Sequence, residues 1–328
     1  MRGRLAQMAL ALAPAFLAGP ATAADHNDGN GTFAGWDLGG RRDANITDFF
    51  AFTTTGPPAK LVLVLTLNQG IADPGYFFAE DLTIRFHIDN HSRVTFTDGD
   101  PATTTDDWMM RFAGTVSEVD RIDDDIVFEI TFHPGSNGKT APGLRVDGLP
   151  ARIEKDIVVF PADEFESPLR RNGRAVVALE VPLALVVTPD DPTRPLVDTL
   201  LLWATVKVPE VHGPITDHAG MPNTSNQAAN LLVNRNRPRD QAGLLTARPP
   251  DLFLTSLPGN PVSLAPYADV LIFDLSRPAR GFPPGRGNPN LPPPPGFVQF
   301  NPNDPTKFPN GRPVTADLAA TEFPYVAR

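Results

Sequence analysis

The chain has 328 residues, of which 41% are hydrophobic and 20% charged, and its formal net charge is −10 at pH 7. This acidic balance argues against nucleic acids and anionic membrane surfaces as partners, and it suits solubility or the binding of divalent cations. Because the chain has no cysteine, disulfides, thiol catalysis and zinc–thiolate sites are excluded.

Residues 1–24 have the features of an export signal peptide. Arg2 and Arg4 precede an apolar run, and a small-residue cleavage signal follows at Ala21–Ala23. No segment reaches the roughly 18 uncharged apolar residues of a membrane-spanning helix. We therefore expect export to the periplasm or the cell exterior, without a transmembrane segment. Loss of the two arginines would change the formal charge from −10 to −12.

Strand patterns dominate residues 25–277, for which we expect one β-rich domain. Residues 45–52 predict a strand, and the near-continuous apolar run KLVLVLTLN at 60–68 predicts a central strand covered on both faces. The predicted fold class is mainly β, an antiparallel sandwich or distorted barrel-like arrangement of sheets with long loops and few short helices.

Residues 81–100, DLTIRFHIDNHSRVTFTDGD, predict a β-hairpin. Apolar and polar residues alternate from Leu82 to Asp89, which is typical of a strand with one buried face. A second alternation from Val94 to Thr97 runs into turn residues at 98–101. Two such strands joined by a polar connection favour a hairpin.

Further strands are predicted in the rest of the chain. Residues 126–132 alternate strictly and predict a strand, whereas 134–150 are rich in Pro, Gly, Asn and Asp and predict a loop or hairpin tip. Pro182 lies within one apolar run and indicates an edge strand or two pieces joined by a bulge. The apolar runs that predict the remaining strands are 153–160, 175–187 and 199–208.

Helical signals are few, and the carboxyl-terminal part is rich in proline. Short helices are predicted at 223–232 and 240–247. Residues 278–313 contain twelve prolines in 36 residues, which excludes ladder strands and helix interiors. We expect residues 278–328 to wrap around the domain or to extend from it.

Short motifs spread over nearly the whole mature chain carry a family likeness. They are Asp25-His26, Thr47–Phe52, Phe86–Asn90, Leu202–Thr205, Gly220–Asn223 and Phe308–Pro313 with Asp317. In these motifs the chain resembles a family of secreted bacterial proteins, domain-of-unknown-function family 4331. The resemblance implies a β-rich extracytoplasmic domain without an assigned activity. It also implies a calcium-like loop after Asn90, but His91–Arg93 stand in place of the acidic and glycine positions of that loop.

Three residues of the 81–100 stretch predict a metal site. His87, Asp89 and His91 are spaced two apart, so on a strand they would share one face and could converge on a divalent ion. Near the mature amino terminus, Asp25, His26 or Asp28 could add a ligand. The alternative is a solvated strand face that ends in a polar turn.

Acidic loops offer a second candidate, for calcium. Asp98, Asp100, Asp123 and Asp125 lie in two clusters of aspartates, and calcium is bound by six to eight oxygen ligands. Neither cluster has the spaced Asp-x-Asp-x-Asp-Gly pattern. Ordinary solvated turns are the alternative.

A third candidate pairs Asp217 with His218, an imidazole beside a carboxylate that could act as a base. No nucleophile elbow, phosphate loop or dinucleotide fingerprint accompanies the pair, which fits a hydrogen-bonded loop equally well. Aromatic residues could line a ligand groove, although core packing is the usual role of such residues. They are Phe49, Phe50, Phe52, Phe77, Phe78 and Trp108.

Together these patterns predict an exported bacterial protein that binds a ligand or acts as an envelope or matrix interaction module, with a small-molecule or envelope partner and a structural divalent metal. The alternative is a metal-dependent hydrolase or oxidoreductase centred on His87, Asp89 and His91.

Overall fold

A computed structural model describes twelve stretches of the chain: 41–54, 58–67, 71–91, 94–95, 115–116, 119–170, 173–187, 199–210, 213–220, 235–241, 270–274 and 323–324. Within them the protein is mainly β, as the sequence predicts. Two antiparallel sheets face each other and enclose the core.

The first sheet is built around β2 (Lys60–Leu67), which pairs with β1 (Ile46–Thr53) on one side and β10 (Arg174–Pro182) on the other. Beyond β10 lie β8 (Val158–Phe160) and β9 (Leu169–Arg170). Every residue of β2 after its first is buried, so the predicted central strand is confirmed. Its uninterrupted apolar run reflects burial on both faces.

The strands of the second sheet are β3 (Thr83–Asp89), β6 (Ile126–Pro134), β7 (Thr140–Asp147), β11 (Thr199–Lys207), β12 (Asp217–Ala219) and β13 (Leu271–Asp274). β3 lies at the centre, between β6 and β11. On the far side of β11 lie β12 and β13, and on the far side of β6 lies β7. The strands predicted at 126–132 and 199–208 are therefore confirmed.

The predicted hairpin between β3 and residues 94–97 is wrong. β4 (Val94–Thr95) pairs instead with β5 (Thr115–Val116) in a separate two-stranded ribbon, and β3 pairs with β6 in the register Ile88↔Ile126. A polar connection shows that the chain turns, but it does not choose the partner strand. The apolar alternation of β6 matches that of β3, and both contribute side chains to the core.

The loop predicted at 134–150 is also wrong in part, because it contains β7. This strand carries Pro142 opposite Phe132 and Gly143 opposite Thr131. β7 lies at the edge of its sheet, where the missing proline N–H is tolerated. The bend before it is made by residues 136–138, with Asn137 at φ 58° and Gly138 at φ 76°.

Two other predicted strands are mixed elements. The run at 153–160 begins in a 3-10 helix, Ala151–Asp156, before β8. The run at 175–187 is β10 followed by a short helix, α1 (Leu183–Val187). β10 is an inner strand, so the edge position inferred from Pro182 is wrong. Because Pro182 is the last residue of the ladder, its missing N–H interrupts no further pairing.

Inward-facing side chains from both sheets form one apolar core. The rings of Phe49 on β1 and Phe86 on β3 lie 6.1 Å apart and join the two layers. At the sheet edge, the Asp217 carboxylate accepts a hydrogen bond from the Ile46 N–H at 2.8 Å, which links β12 to β1. Packing and this polar contact together hold the sheets face to face.

The outer face of the first sheet is buried as well. It carries a second apolar cluster made of Phe50, Phe52, Val62, Val64, Phe160, Val176 and Ala178. Phe323, near the carboxyl terminus, packs on this cluster with its ring edge-on to Phe160 at 6.4 Å. Beside the cluster, Arg174 and Asp48 form a buried ion pair with an N–O distance of 3.2 Å.

Several predictions fall outside the described residues. They include the signal peptide, the proline-rich segment up to residue 322 and the helix at 223–232, whereas a single helical turn occurs at 238–241, at the start of the helix predicted at 240–247. In the part of the chain that the structure describes, no helix combines the length and apolar character needed to cross a bilayer.

The packing of Phe323 predicts that the carboxyl-terminal end stabilises the domain. We expect Phe323→Ala to lower the free energy of unfolding by about 1–3 kcal/mol in urea denaturation, because a partly buried ring leaves an apolar cluster. Phe165→Ala is the matched control, since that ring is 71% exposed. If the two variants had the same free energy of unfolding, packing of the Phe323 ring would not stabilise the fold.

Candidate metal centre

Asp89, the last residue of β3, is the buried centre of the site. Its side chain faces away from the core between the sheets, yet it is only 1% exposed. One carboxylate oxygen accepts the His91 N–H at 3.0 Å, and the other accepts the Asp123 N–H at 3.1 Å. The carboxylate therefore joins the end of β3 to the segment that leads into β6.

His91 lies just beyond the strand and contacts two carboxylates. Its Nδ1 is 2.5 Å from Asp125 Oδ2 and 3.3 Å from Asp89 Oδ1. Asp125 Oδ2 also accepts the Asn90 N–H at 2.8 Å. One ligand atom from each of Asp89, His91 and Asp125 lies within 4.8 Å of the other two, so these residues could hold a metal ion.

His87, which the sequence groups with Asp89 and His91, is engaged elsewhere. Its Nδ1 is 2.9 Å from Asp124 Oδ1 and its Nε2 is 2.8 Å from Thr205 Oγ1. The ring stacks on Trp203 at 5.1 Å with an interplanar angle of 3°. Side chains two apart on a strand share a face but stand about 7 Å apart, so sharing a face does not bring His87 to the other two.

Asp125 takes the place in the group that the sequence gives to His87. The signal that identifies it is the strand register: because Ile88 lies opposite Ile126, the next pair outward is Asp89 and Asp125. Neighbouring antiparallel residues are about 4.5–5.5 Å apart at Cα. The incorrect hairpin concealed this pairing.

The three consecutive aspartates before β6 each have a different partner. Asp123 pairs with Arg239, Asp124 with His87 and Asp125 with His91. Of the four residues predicted to bind calcium, Asp123 and Asp125 therefore have different partners, and Asp98 and Asp100 lie outside the described residues. His26, the further predicted ligand, lies outside them as well.

The surroundings of Asp124 and Asp125 shift the pKa values of their carboxyl groups in opposite directions. Partial burial would by itself raise the pKa of Asp124, but the hydrogen bond and charge of His87, with Arg237 and Arg239 nearby, bring it below its ordinary value. Burial raises the pKa of Asp125, and the negative charge of Asp89 adds to the rise, while hydrogen bonds from His91 and Asn90 oppose it.

The Asp217–His218 pair lies in β12, and both residues are fully buried. Asp217 accepts the backbone N–H groups of Ile46 at 2.8 Å and His218 at 2.9 Å. These contacts give Asp217 a structural role in joining the sheets.

The aromatic residues proposed for a ligand groove are mostly core residues. Phe49, Phe50, Phe52 and Phe78 are at most 2% exposed. Phe77 is half-buried, and the Lys139 ammonium lies 5.1 Å from the centre of its ring. Trp108 lies outside the described residues.

Comparisons of the chain with protein-family models, with curated proteins and with solved structures gave no match.

The hydrogen bonds from the Ile46 and His218 N–H groups to Asp217 predict that the fold loses stability when one of them is removed. In Asp217→Asn one carboxylate oxygen becomes an NH₂ group that faces a backbone N–H, so we expect a cost of about 1–3 kcal/mol in denaturant unfolding. Asp147→Asn is the control, because Asp147 is exposed and pairs with exposed Arg145. An unchanged midpoint for Asp217→Asn would contradict this role.

Proposed function

We propose that the protein is an exported β-sandwich binding module that holds one divalent transition-metal ion at Asp89, His91 and Asp125. The observation that carries the proposal is the approach of one ligand atom from each residue to within 4.8 Å of the others. The ion would stabilise the junction between the end of β3 and the segment before β6, where it would contact both chain segments.

The ligand types select the kind of metal. One imidazole nitrogen and two carboxylates suit zinc, manganese or iron(II), whereas calcium is bound by oxygen alone. Each carboxylate oxygen has two acceptor positions. An oxygen that accepts one backbone N–H, as each oxygen of Asp89 does, can also coordinate an ion.

The surrounding charges favour a cation. Asp89, Asp123, Asp124 and Asp125 lie together at the end of β3 and before β6, and the charges of Arg237 and Arg239 act on Asp124. Carboxyl groups clustered in this way favour a cation as the bound ligand.

Metal titration tests this proposal. After chelator treatment and removal of any affinity tag, we expect calorimetry to show one saturable site for zinc or manganese and none of comparable affinity for calcium. At a metal concentration of 100 Kd the apparent stability should rise by about 2.7 kcal/mol. Absence of a saturable site would end the proposal.

Variants identify the ligands. His91→Ala should weaken metal binding by well over about 10-fold, because even residues behind the ligands affect affinity 10–100-fold. His133→Ala is the matched control, since His133 is an exposed histidine on β6 whose ring is 3.3 Å from Thr131 Oγ1. If both variants bind like the wild type, His91 is not a ligand.

A second candidate function is a metal-dependent hydrolase. The His91 and Asp125 side chains are 32% and 25% exposed, and three protein ligands would leave a coordination position open, as in catalytic zinc sites. Metal-loaded protein should then cleave a chromogenic ester or phosphate ester, and His91→Ala should not. The same activity in both samples would exclude this site as its source.

Export is tested on the protein made from the full gene. We expect it in the periplasm or medium with an amino terminus at Ala24 or Asp25, because residues 1–24 have the three regions of a signal peptide. Cytoplasmic protein that begins at Met1 would contradict this part of the proposal.

A further inference from the structure

We infer that Arg239 is a positioning residue of the proposed metal centre, acting through Asp123 on the Asp89 ligand. The inference rests on the proposed function and names a residue that contacts none of the three ligands in the structure. Through Arg239 the 235–241 segment contacts Asp123, which lies 116 positions earlier in the chain, beside the proposed ligands.

The connection consists of three contacts in series. Arg239 Nη2 donates to Asp123 Oδ1 at 2.5 Å. The same oxygen accepts the Asp124 N–H at 2.9 Å, so the guanidinium and the backbone hold one carboxylate between them. The Asp123 N–H in turn donates to Asp89 Oδ2 at 3.1 Å. Arg239 thereby fixes the turn that orients Asp89.

The 235–241 segment is itself shaped to present Arg239. The Asp240 N–H donates to the Arg237 carbonyl at 2.9 Å, and Gln241 Nε2 donates to the Asn236 carbonyl at 3.1 Å. Gln241 is fully buried, which anchors the end of the helical turn at 238–241. Arg239 therefore projects from a held turn rather than from a loose end.

A positioning role affects metal affinity, whereas a stabilising role affects the stability of the whole fold. The Arg239 and Asp123 side chains are 33% and 53% exposed, and exposed ion pairs contribute little to global stability. Groups that orient metal ligands nevertheless change affinity by about 10–100-fold. Loss of Arg239 should thus weaken metal binding while the melting temperature changes little.

The direction in which metal affinity changes when Arg239 is replaced distinguishes a positioning role from a purely electrostatic one. Removing a positive charge near a cation site strengthens cation binding if charge alone matters. Positioning predicts the opposite result for Arg239. Arg237 is the matched control, because it belongs to the same segment, is exposed and also acts electrostatically on Asp124.

The experiment measures zinc and manganese affinity by calorimetry on the full chain, with melting temperatures in parallel. We expect Arg239→Gln to weaken binding about 10-fold, Arg237→Gln to leave it unchanged or stronger, and Arg239→Lys to restore part of the loss. Asp123→Asn should also weaken binding, and adding Arg239→Gln to it should have little further effect, since both act through one path.

Each outcome decides the inference. If the wild type binds metal and Arg239→Gln binds it equally or more tightly, Arg239 does not position the site, and the proposed function stands alone. If the wild type binds neither metal, the proposed function fails and this inference fails with it. Should Arg239→Gln not fold, Arg239→Lys and Asp123→Asn carry the test, and wild-type affinity in both overturns the inference.

Discussion

The Asp89 carboxylate is the constraint on which the candidate site depends. A carboxylate that is 1% exposed needs donors or a cation, because an unpaired buried charge is strongly destabilising. Two backbone N–H groups meet that need, one from the residue pair after β3 and one from the turn before β6. Satisfying one buried group therefore brings His91 and Asp125 to it, so a structural requirement assembles the ligand set.

Burial of the outer sheet faces explains which polar residues remain accessible. On the second sheet His87 stacks on Trp203 and bonds to Thr205, and on the first sheet Asp48 pairs with Arg174. Such residues are enclosed and paired, which is how buried polar groups are tolerated. At the end of β3 the enclosure stops, and His91 and Asp125 reach solvent. The candidate site lies where the covered face meets the surface, so the proposed ion could reach it from solvent.

Local patterns in the sequence predicted individual strands but not their partners. The apolar run of β2 and the alternation of β6 are properties of a few neighbouring residues, and both predictions were correct. The pairing of β3 with β6 depends on which apolar faces share a core, and no short stretch records it. Asp125 was therefore missed as the companion of Asp89. β7 was missed because Pro142 and Gly143 are tolerated only at a sheet edge, a position that the sequence does not reveal.

The same contacts hold two of the three candidate ligands in place. Asp89 is held by two backbone donors and Asp125 by the Asn90 N–H, while Asn90 is fixed by the bond from its Nδ2 to the Val186 carbonyl at 3.0 Å. These restraints come from the backbone and from α1 and do not depend on an ion. Binding of the proposed ion would therefore order few further groups, which would reduce its entropic cost. The His91 imidazole contacts both of the other residues through Nδ1, and an ion bound as proposed would take the place of these contacts.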